Sequence, residues 1–428
     1  YQPVLTGPDD FLPNHPTENP VSYLYAGGRN ISSRRKTILS ISPEFTIIPK
    51  ILKIKADLSV APTTYQKEKT HPKQARVNNS WTALETRWAT ENTGEVTRST
   101  TDRYAINVYA DYNQTFKEKH NVSVLLGLNQ EEESYAGSTL YLKNMLDPYI
   151  LNPELVQDVT ANTSANSHHE IASRALFGRI MYNYMSRYLI ELDARYDGSS
   201  KFPKDSRFQF FPTVSLGWRV SEEKFMEWSK DWLDNFKIRL SAGSMGNGNI
   251  DPYKYIDYMT IKTSTVVIGD ALGSYTTAPG AIPLSLTWET ATTYDVGFDM
   301  DLFRNRLSIG FDWYRRYTTD MYTVGVSLPS VYGTDAPKGN NASLKTNGWE
   351  LSVGWRDSFE LGGKAFSYNV KAMVWDARTW VTEYINPTGA LGDYYEGKEL
   401  GEIWGYRVEG LFRDQEDIYS HAEQSFLQ

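Results

Sequence analysis

Cysteine is absent from all 428 residues of the sequence, and this absence removes several kinds of chemistry. Without thiols there is no disulfide framework, no thiolate-bound metal and no cysteine nucleophile. Long apolar runs are also missing: the mean hydropathy is −0.50, and no stretch approaches the roughly eighteen residues of a membrane-spanning helix. A membrane-spanning strand needs only about 9–11 residues, half of them polar, so a membrane barrel stays open as a prediction.

Positive charge is scarce as well. Lys and Arg number 44 against 52 Asp and Glu, which gives a formal net charge of −8. No basic run or stripe occurs, so nucleic-acid binding is not expected. The polar, proline-rich residues 1–20 have neither a basic start nor an apolar core. They do not form a signal peptide, and we expect an exported protein to carry further sequence before them.

Alternation of apolar and polar residues is what the sequence has in abundance. Residues 178–198, GRIMYNYMSRYLIELDARYDG, interleave the two kinds with a period of two. This period places successive side chains on opposite faces of a strand, and it predicts a hairpin with a tight turn at 185–187. The apolar set is Ile180, Tyr182, Tyr184, Tyr188, Ile190, Leu192, Ala194 and Tyr196; the polar set is Arg179, Asn183, Arg187, Glu191, Asp193, Arg195 and Asp197.

The same pattern recurs along the chain. It is clear at residues 208–220, 294–302, 307–314, 349–355 and 366–374, and weaker at 37–46, 51–60, 104–116, 122–132 and 236–245. Together these segments predict about twelve strands in six hairpins.

The predicted connections alternate between short and long. The short links within hairpins are 47–50, 117–121, 185–187, 303–306 and 358–364; the long links between hairpins are 61–103, 133–173, 246–291, 318–347 and 377–402. Two links depart from this rule: 198–207 is short, and 221–235 is longer and predicts a short helix. A soluble sheet with one solvent-exposed face would also produce this alternation of apolar and polar residues in a single hairpin. The loop asymmetry favours an all-β, antiparallel transmembrane β-barrel with long extracellular loops and short periplasmic turns.

In such a barrel the charged set faces the lumen, because Lys or Arg on the lipid face costs about 2–4 kcal/mol at the midplane. The apolar set, with Ile180, Leu192, Phe298 and Phe311 as examples, then touches lipid. The predicted lumen-facing polar residues are Arg179, Glu191, Asp193, Arg195, Asp295, Asp299, Asp312 and Glu350.

Small motifs give no sign of an enzyme, a metal site or a cofactor. Residues 243–249, GSMGNGN, lack the spacing and the Lys-Ser/Thr ending of a phosphate loop. His168 and His169 are adjacent, so on a strand they point to opposite faces; a solvated loop is the favoured interpretation. Paired carboxylates such as Asp299 and Asp301 would need a dry pocket for acid–base catalysis, which a wet lumen does not provide.

Several long segments resemble, in order, the strand–loop–strand signatures of the SusC/RagA family of TonB-dependent outer-membrane transporters. They are residues 194–226, 232–250, 286–322, 328–357 and 401–412. The resemblance implies a barrel of about twenty-two strands, of which about twelve are present here, so we expect a fragment of the barrel region. It implies uptake of oligosaccharides or peptides across the bacterial outer membrane of Bacteroidetes. It also implies two partners: a SusD-like surface lipoprotein, and the TonB complex acting through an N-terminal plug absent from this chain.

On this basis we expect residues 1–36 to be part of an extracellular loop, 37–376 the barrel hairpins, and 377–428 a truncated extracellular region. Aromatic side chains in the long loops pack well on the apolar face of a sugar or on a peptide side chain, so they are candidate substrate contacts. The alternative is loop packing or contact with the lid protein. The candidates are Trp81, Trp88, Tyr253, Tyr275, Trp288 and Tyr332. Two other functions remain open from the residues alone: a passive outer-membrane porin and a soluble glycan-binding β-protein.

Overall fold

The computed structural model describes residues 28–73, 75–77, 84–86, 91–159, 162–256, 259–268, 271–277, 282–283, 286–325, 338–387, 389–408 and 410–421. Within these ranges fifteen strands form one antiparallel sheet and four form two separate hairpins.

The strands, in chain order, are β1 (Asn30–Lys36), β2 (Leu39–Ile41), β3 (Glu44–Ile48), β4 (Leu52–Val60), β5 (Thr63–His71), β6 (Ala75–Val77), β7 (Leu84–Thr86), β8 (Thr93–Phe116), β9 (His120–Leu142), β10 (Thr163–Tyr184), β11 (Tyr188–Ser199), β12 (Phe208–Arg219), β13 (Leu233–Asn247), β14 (Ile261–Ile268), β15 (Ala271–Thr276), β16 (Glu289–Leu302), β17 (Leu307–Val324), β18 (Lys338–Leu361) and β19 (Lys364–Tyr384). Three short 3-10 helices cover Lys204–Ser206, Val220–Glu222 and Lys224–Ser229, and α1 covers Gln415–Ser420. The two separate hairpins are β6–β7 and β14–β15.

The first two strands of the sheet are interrupted. β1, β2 and β3 follow one another along the edge, and β4 and β5 together pair with the single long strand β8. Pro43 and Pro62 stand at two of the breaks, where proline cannot donate a ladder hydrogen bond. With each interrupted run counted as one strand, the sheet has twelve strands in six sequential hairpins, which confirms the number predicted from the sequence.

Short turns join the strands at one end of the sheet, here called the short-turn end. Non-glycine residues with positive φ form several of them, including Lys117, Glu118, Met185 and Ser186. Turns of this hand match the twist of the flanking strands. The helix predicted at 221–235 is wrong in type, because two 3-10 helices form there instead. Lys224 stands where a capping box needs Glu, and no side chain caps that segment.

Several strands reach farther toward the opposite, long-loop end than the alternation predicted. The loop predicted at 133–173 spans only 143–162, and the β14–β15 hairpin lies inside the loop predicted at 246–291. The sheet also continues past the limits proposed for the barrel region: β1 begins at Asn30, and β19 ends at Tyr384.

The register gives the strands a steep tilt. One row of cross-strand partners consists of Leu52, Tyr112, Val124, Ile180, Leu192, Val214, Ala242, Tyr294, Arg315, Asn347 and Arg378. It starts at the first residue of β4 and ends fourteen residues after Lys364, the first residue of β19. At about 3.3 Å per residue and about 4.8 Å per strand, the row moves roughly 46 Å along the strands over roughly 48 Å across them. If the short turns lie at one level, the tilt is about 44°, near the roughly 35–45° of transmembrane barrels.

One face of the sheet is apolar over most of its area and open. Ile180 and Leu192 pair across the ladder and are 47% and 43% exposed. Phe298 and Phe311 are half-buried, and their rings pack together with centroids 5.7 Å apart. Within the described ranges, the clusters of fully buried apolar residues are small and lie near the long-loop end. Val220, Leu233 and Leu302 are buried at the short-turn end. A continuous apolar face of this size marks an interaction surface.

Among the helices of the described residues, none is both long and apolar enough to cross a membrane.

Candidate functional site

The register collects the predicted polar residues on the face opposite the apolar one, here called the polar face. Arg179 pairs with Asp193, and Asp312 pairs with Glu350. Directly opposite residues of an antiparallel pair share one face. The continuous ladder from β10 to β19 therefore places all eight predicted residues on the polar face.

On β10 and β11 these residues form a chain of ion pairs. Arg179 Nε lies 2.6 Å from Asp193 Oδ1 and 3.2 Å from Glu191 Oε1. Arg195 Nη2 lies 2.7 Å from Asp197 Oδ1, and its guanidinium is 5.5 Å from the ring centroid of Phe177. The charges of this part of the face are therefore largely balanced.

The second group centres on Arg239 of β13, which the sequence analysis missed. Arg239 Nε lies 2.8 Å from Asp299 Oδ2, and Nη1 lies 2.9 Å from Asp312 Oδ1. One guanidinium thus bridges carboxylates on β16 and β17, consistent with its planar fork of donors. The signal was present in the sequence, since Lys237, Arg239 and Ser241 alternate with apolar residues.

Two of the predicted carboxylates, Asp295 and Glu350, have no cationic side chain as an ion-pair partner in the described ranges. Asp295 faces Ser241 and Tyr314 across its two ladders, and Glu350 faces Asp312. Within the described ranges, neither carboxylate lies within salt-bridge distance of a cation. This part of the polar face therefore carries uncompensated negative charge.

A cavity of about 950 Å³ lies on the polar face toward the short-turn end. Its lining includes side chains from six strands: Asn113, Ser123, Glu191, Ser215, Lys237 and Asp295. A flat sheet cannot enclose space on one side, so this shared cavity makes the polar face the concave side. The lining mixes hydroxyl, amide and charged groups, which suits a wet passage or a polar occupant.

The loops above the sheet pack around a small core of their own. Phe202 is fully buried with Leu286 and Ile250, and Tyr255, Trp288 and Tyr322 pack against this core. The indole Nε1 of Trp288 donates to the carbonyl of Arg207 at 3.1 Å. Three loop segments, 199–207, 248–256 and 286–288, are therefore held together by one cluster.

The predicted loop aromatics lie in different surroundings. The ring of Trp288 packs 4.8 Å from Phe202 and 5.8 Å from Phe211, so most of its area serves loop packing. Tyr253 is 42% exposed, and its hydroxyl oxygen accepts from the Glu170 backbone N–H at 3.0 Å. Tyr275 is 49% exposed on the β14–β15 hairpin. The structure does not bring these three together, and Trp81, Trp88 and Tyr332 lie outside the described residues.

The prediction of a solvated loop at the adjacent histidines is wrong, because both lie in strand β10. His168 approaches Glu170 at 3.6 Å, while His169 approaches Glu133 at 3.7 Å and stacks on Tyr135. The sequence analysis began this strand about eleven residues too late, because residues 163–173 are largely polar on both faces. Within the described part of the chain, no group of His, Asp and Glu is arranged to hold a metal ion.

Comparisons with known proteins place these features in a family. The family model described as TonB dependent receptor-like, beta-barrel matches residues 42–403. A TonB-dependent receptor of Formosa agariphila is 30% identical over 326 residues, which are 72% of this chain and 29% of that protein. The TonB-dependent receptor SusC of Bacteroides thetaiotaomicron is 35% identical over 211 residues, which are 49% of this chain and 19% of that protein.

A solved structure described as the RagAB peptide transporter superposes with a TM-score of 0.71 at 21% identity. The match covers 84% of this chain and 39% of that one. At this identity the likeness shows the fold alone. The chain spans about a third or less of the length of the curated relatives it matches.

Proposed function

Because the chain belongs to the TonB-dependent receptor-like β-barrel family of the bacterial outer membrane, we propose that it forms part of the wall of an energy-driven importer. The protein would take up nutrient oligomers, either oligosaccharides or peptides, and would transport them without altering them chemically. It would act together with a SusD-like surface lipoprotein on the outside and with the TonB complex through a plug encoded elsewhere in the full-length protein.

The observation that carries this proposal is the division of the sheet into two faces at a steep tilt. The apolar face is open and continuous, as contact with lipid requires, and the concave polar face encloses a cavity of about 950 Å³. A closed barrel built from such strands keeps lipid outside and water inside. A soluble glycan-binding protein would not expose Ile180, Leu192, Val214 and Leu240 at 38% or more in one continuous face.

The charges of the polar face support an occupant of the lumen. Asp295 is half-buried and Glu350 is exposed, and neither has an ion-pair partner in the described ranges. A plug that fills the lumen would supply cationic or hydrogen-bonding partners at these positions. A passive porin would instead leave them facing water.

The packed outer loops support recognition of a substrate before it enters the barrel. Loop segments 199–207, 248–256 and 286–288 share the core around Phe202, so they offer one fixed surface and do not move independently. Tyr253 and Tyr275 are exposed near this surface or on the adjoining hairpin and remain candidate contacts for a sugar face or a peptide side chain. Trp288 would act mainly by holding the loops in place.

The test compares uptake of a labelled oligosaccharide library and a labelled peptide library by cells that carry the full-length protein. Under this proposal, uptake stops when TonB is deleted or when a protonophore collapses the proton-motive force. Uptake that continues under both conditions would instead establish a passive porin. Deletion of a neighbouring SusD-like lipoprotein tests the partner separately, and uptake at an unchanged rate would remove that part of the proposal.

A further inference from the structure

The apolar face of β17, β18 and β19 turns cationic over four successive rows toward the long-loop end. The first row contains Phe311, Leu351 and Val374, and the second contains Trp313, Trp349 and Asp376. The third row contains Arg315, Asn347 and Arg378, and the fourth contains Tyr317, Lys345 and Trp380. The third and fourth rows are here called the basic rim.

The cations of the basic rim are held by amide and aromatic groups. Arg315 Nε donates to Asn347 Oδ1 at 2.8 Å, and its guanidinium lies 5.5 Å from the ring centroid of Trp313. Lys345 Nζ lies 5.7 Å from the ring centroid of Trp380. Within the described ranges, no carboxylate lies within salt-bridge distance of Arg315 or Lys345, so both keep donors for an anion.

Arg378 is the third cation of the rim, and it forms a weak ion pair. Its Nε lies 3.6 Å from Asp376 Oδ2, and the two side chains are 62% and 56% exposed. Such an exposed pair contributes little and exchanges partners readily. The two rows of the rim together with Asp376 therefore hold three cations against one carboxylate.

A concave site of about 430 Å³ adjoins these groups. Its lining residues are Lys345, Asn347, Trp380, Val381, Thr382 and Gly397. This volume lies within the range of small-ligand sites, roughly 300–1,000 Å³. An ammonium, an amide and an indole ring around one depression suit a phosphorylated sugar headgroup.

The level of the rim matches the edge of a lipid bilayer. Arg315 lies eight residues beyond Leu307, the first residue after its short turn, and Arg378 lies fourteen residues beyond Lys364. At about 3.3 Å per residue and a tilt of about 44°, these positions stand roughly 19 Å and 33 Å from the turns. The apolar band of a membrane barrel is about 25 Å tall, so the rim crosses the level at which outer-leaflet headgroups begin.

We propose that the basic rim binds the phosphate groups of an anionic glycolipid of the outer leaflet. The acyl chains would lie along the apolar face below, over Phe311, Leu351 and Val374. Arginine forms paired, charge-assisted hydrogen bonds with phosphate, and tryptophan favours the membrane interface. A lipid rather than a free phosphate is the occupant because the rim opens directly onto the apolar face. This site lies outside the lumen and is independent of transport.

The opposite part of the same face provides a control. Arg174 of β10 lies ten residues from Tyr184, the last residue before its short turn. Both Arg174 Nε and Nη2 donate to Gln130 Oε1, at 3.1 and 2.8 Å, and Glu132 stands on the same face of the neighbouring strand. The charge is offset and the donors are already used, so Arg174 should not bind the lipid.

The experiment uses native mass spectrometry of the full-length protein in detergent, with diphosphorylated lipid A as the probe. Dephosphorylated lipid A and inorganic phosphate serve as parallel probes. We expect the protein to retain the diphosphorylated lipid and to lose it in the Arg315→Gln, Lys345→Gln double variant. With roughly fivefold for each cation removed, the affinity should fall roughly twenty-five-fold. Arg174→Gln should bind as the unmodified protein does.

Equal retention of the dephosphorylated lipid would overturn the proposal, as would equal losses in the Arg174→Gln control. Displacement of the lipid by inorganic phosphate at matched concentration would also overturn it, because the site would then accept a free anion. Heat-modifiable mobility on gels verifies that each variant is folded. If the double variant does not fold, Lys345→Gln alone, which keeps the Arg315–Asn347 bond, should still weaken binding roughly fivefold.

Discussion

The ring of Phe177 occupies the space that a side chain would need at Gly127, its partner across the β9–β10 ladder. An ideal Cβ at Gly127 would lie 2.5 Å from Phe177 Cζ and 2.7 Å from Tyr109 Cβ. Arg195 approaches the same ring with its guanidinium 5.5 Å from the centroid, and Asp197 holds that guanidinium in turn. Glycine at this position thus lets an aromatic ring cover the strand on the polar face, a known device for pinning register.

Gly127→Ala should therefore destabilise the barrel by about 1–3 kcal/mol, the usual cost of overpacking a filled site. Urea unfolding followed by heat-modifiable gel mobility measures the effect. Gly178→Ala is the matched control, because its Cβ would meet its nearest neighbours, Leu125 O and Leu126 Cδ1, at 3.5 and 3.6 Å, which is ordinary contact. Equal unfolding midpoints for the two variants would contradict the close approach at Gly127.

Arg239→Gln should destabilise the barrel because it leaves Asp299 and Asp312 facing each other without their shared cation. All three side chains are partly exposed, so the expected loss is about 1–2 kcal/mol, between the values for exposed and buried ion pairs. Lys237→Gln changes the same charge on the same face, but Lys237 forms no ion pair within the described ranges.

A double-mutant cycle tests the assignment. Asp312→Asn removes one of the two carboxylates, so the loss from Arg239→Gln should shrink when the two changes are combined, with a coupling of at least about 0.5 kcal/mol. Additive losses in urea unfolding would show that the bridge between β16 and β17 contributes nothing.

A pH-dependent ion pair fastens the long-loop end of β5 to β8, beyond the apolar band. The Lys67 ammonium, 2.8 Å from Glu95 Oε1, holds the pKa of that carboxyl below its usual value. A lowered carboxyl pKa stabilises the fold above the unfolded value of about 4.3, and the effect is lost as pH falls through the lower folded value. Protection from hydrogen exchange at 63–71 and 93–101, corrected for the intrinsic pH dependence of amide exchange, should therefore fall below about pH 4.

Glu95→Gln should remove this pH response. At neutral pH the protection of these residues from exchange should already be as low as it is in the unmodified protein at acidic pH. The matched variant is Glu68→Gln, since the Glu68 carboxylate accepts from the Gln66 amide at 2.8 Å rather than from an ammonium. A retained acid-dependent loss of protection in Glu95→Gln would assign the response to another group.

Phe202→Ala should loosen three outer loops together. Removal of a fully buried aromatic ring costs about 3–5 kcal/mol in a well-packed site, and Phe202 is 0% exposed. Hydrogen exchange should rise at 199–207, 248–256 and 286–288, while the strands near the short turns keep their protection. Trp288→Phe should have a smaller effect, because it keeps a ring against Phe202 and loses only the bond to the Arg207 carbonyl.

Tyr275→Ala on the β14–β15 hairpin serves as the comparison for the loop variants. Its ring is exposed and stands outside the cluster around Phe202, so loop exchange should stay unchanged. Loosening confined to 199–207 after Phe202→Ala would mean that the loops do not share one core.

The sequence predicts the sheet well wherever one face meets lipid. Period-two alternation can be detected only when one face of a strand is apolar and the other polar. This contrast is strong in the hairpin that contains Ile180 and Leu192 and in the hairpin that contains Phe298 and Phe311. It fades at the long-loop end, where Glu131, Glu132 and Glu133 occupy both faces of β9. The outer halves of β9 and β10 were therefore predicted as a loop, although their ladder continues to Tyr141 and Thr163.

The candidate site was predictable only in part. The face on which a side chain lies follows from its odd or even position along the strand. All eight charged residues could therefore be assigned correctly to the polar face. Their partners do not follow from parity, since the pairing of Arg239 with Asp299 depends on the register between β13 and β16, which are neighbours in the sheet but distant in the sequence. The loop aromatics were harder still: Trp288 and Tyr275 are the same class of residue, yet one packs in a core and the other faces solvent.

The shared core around Phe202 bears on how new substrate preferences could arise in such a protein. A loop exchanged alone by recombination would bring side chains that do not fit Ile250, Leu286 or Trp288. The mismatch would disturb its two neighbours before any new ligand contact formed. Productive chimeras should therefore exchange 199–207, 248–256 and 286–288 together as a single unit.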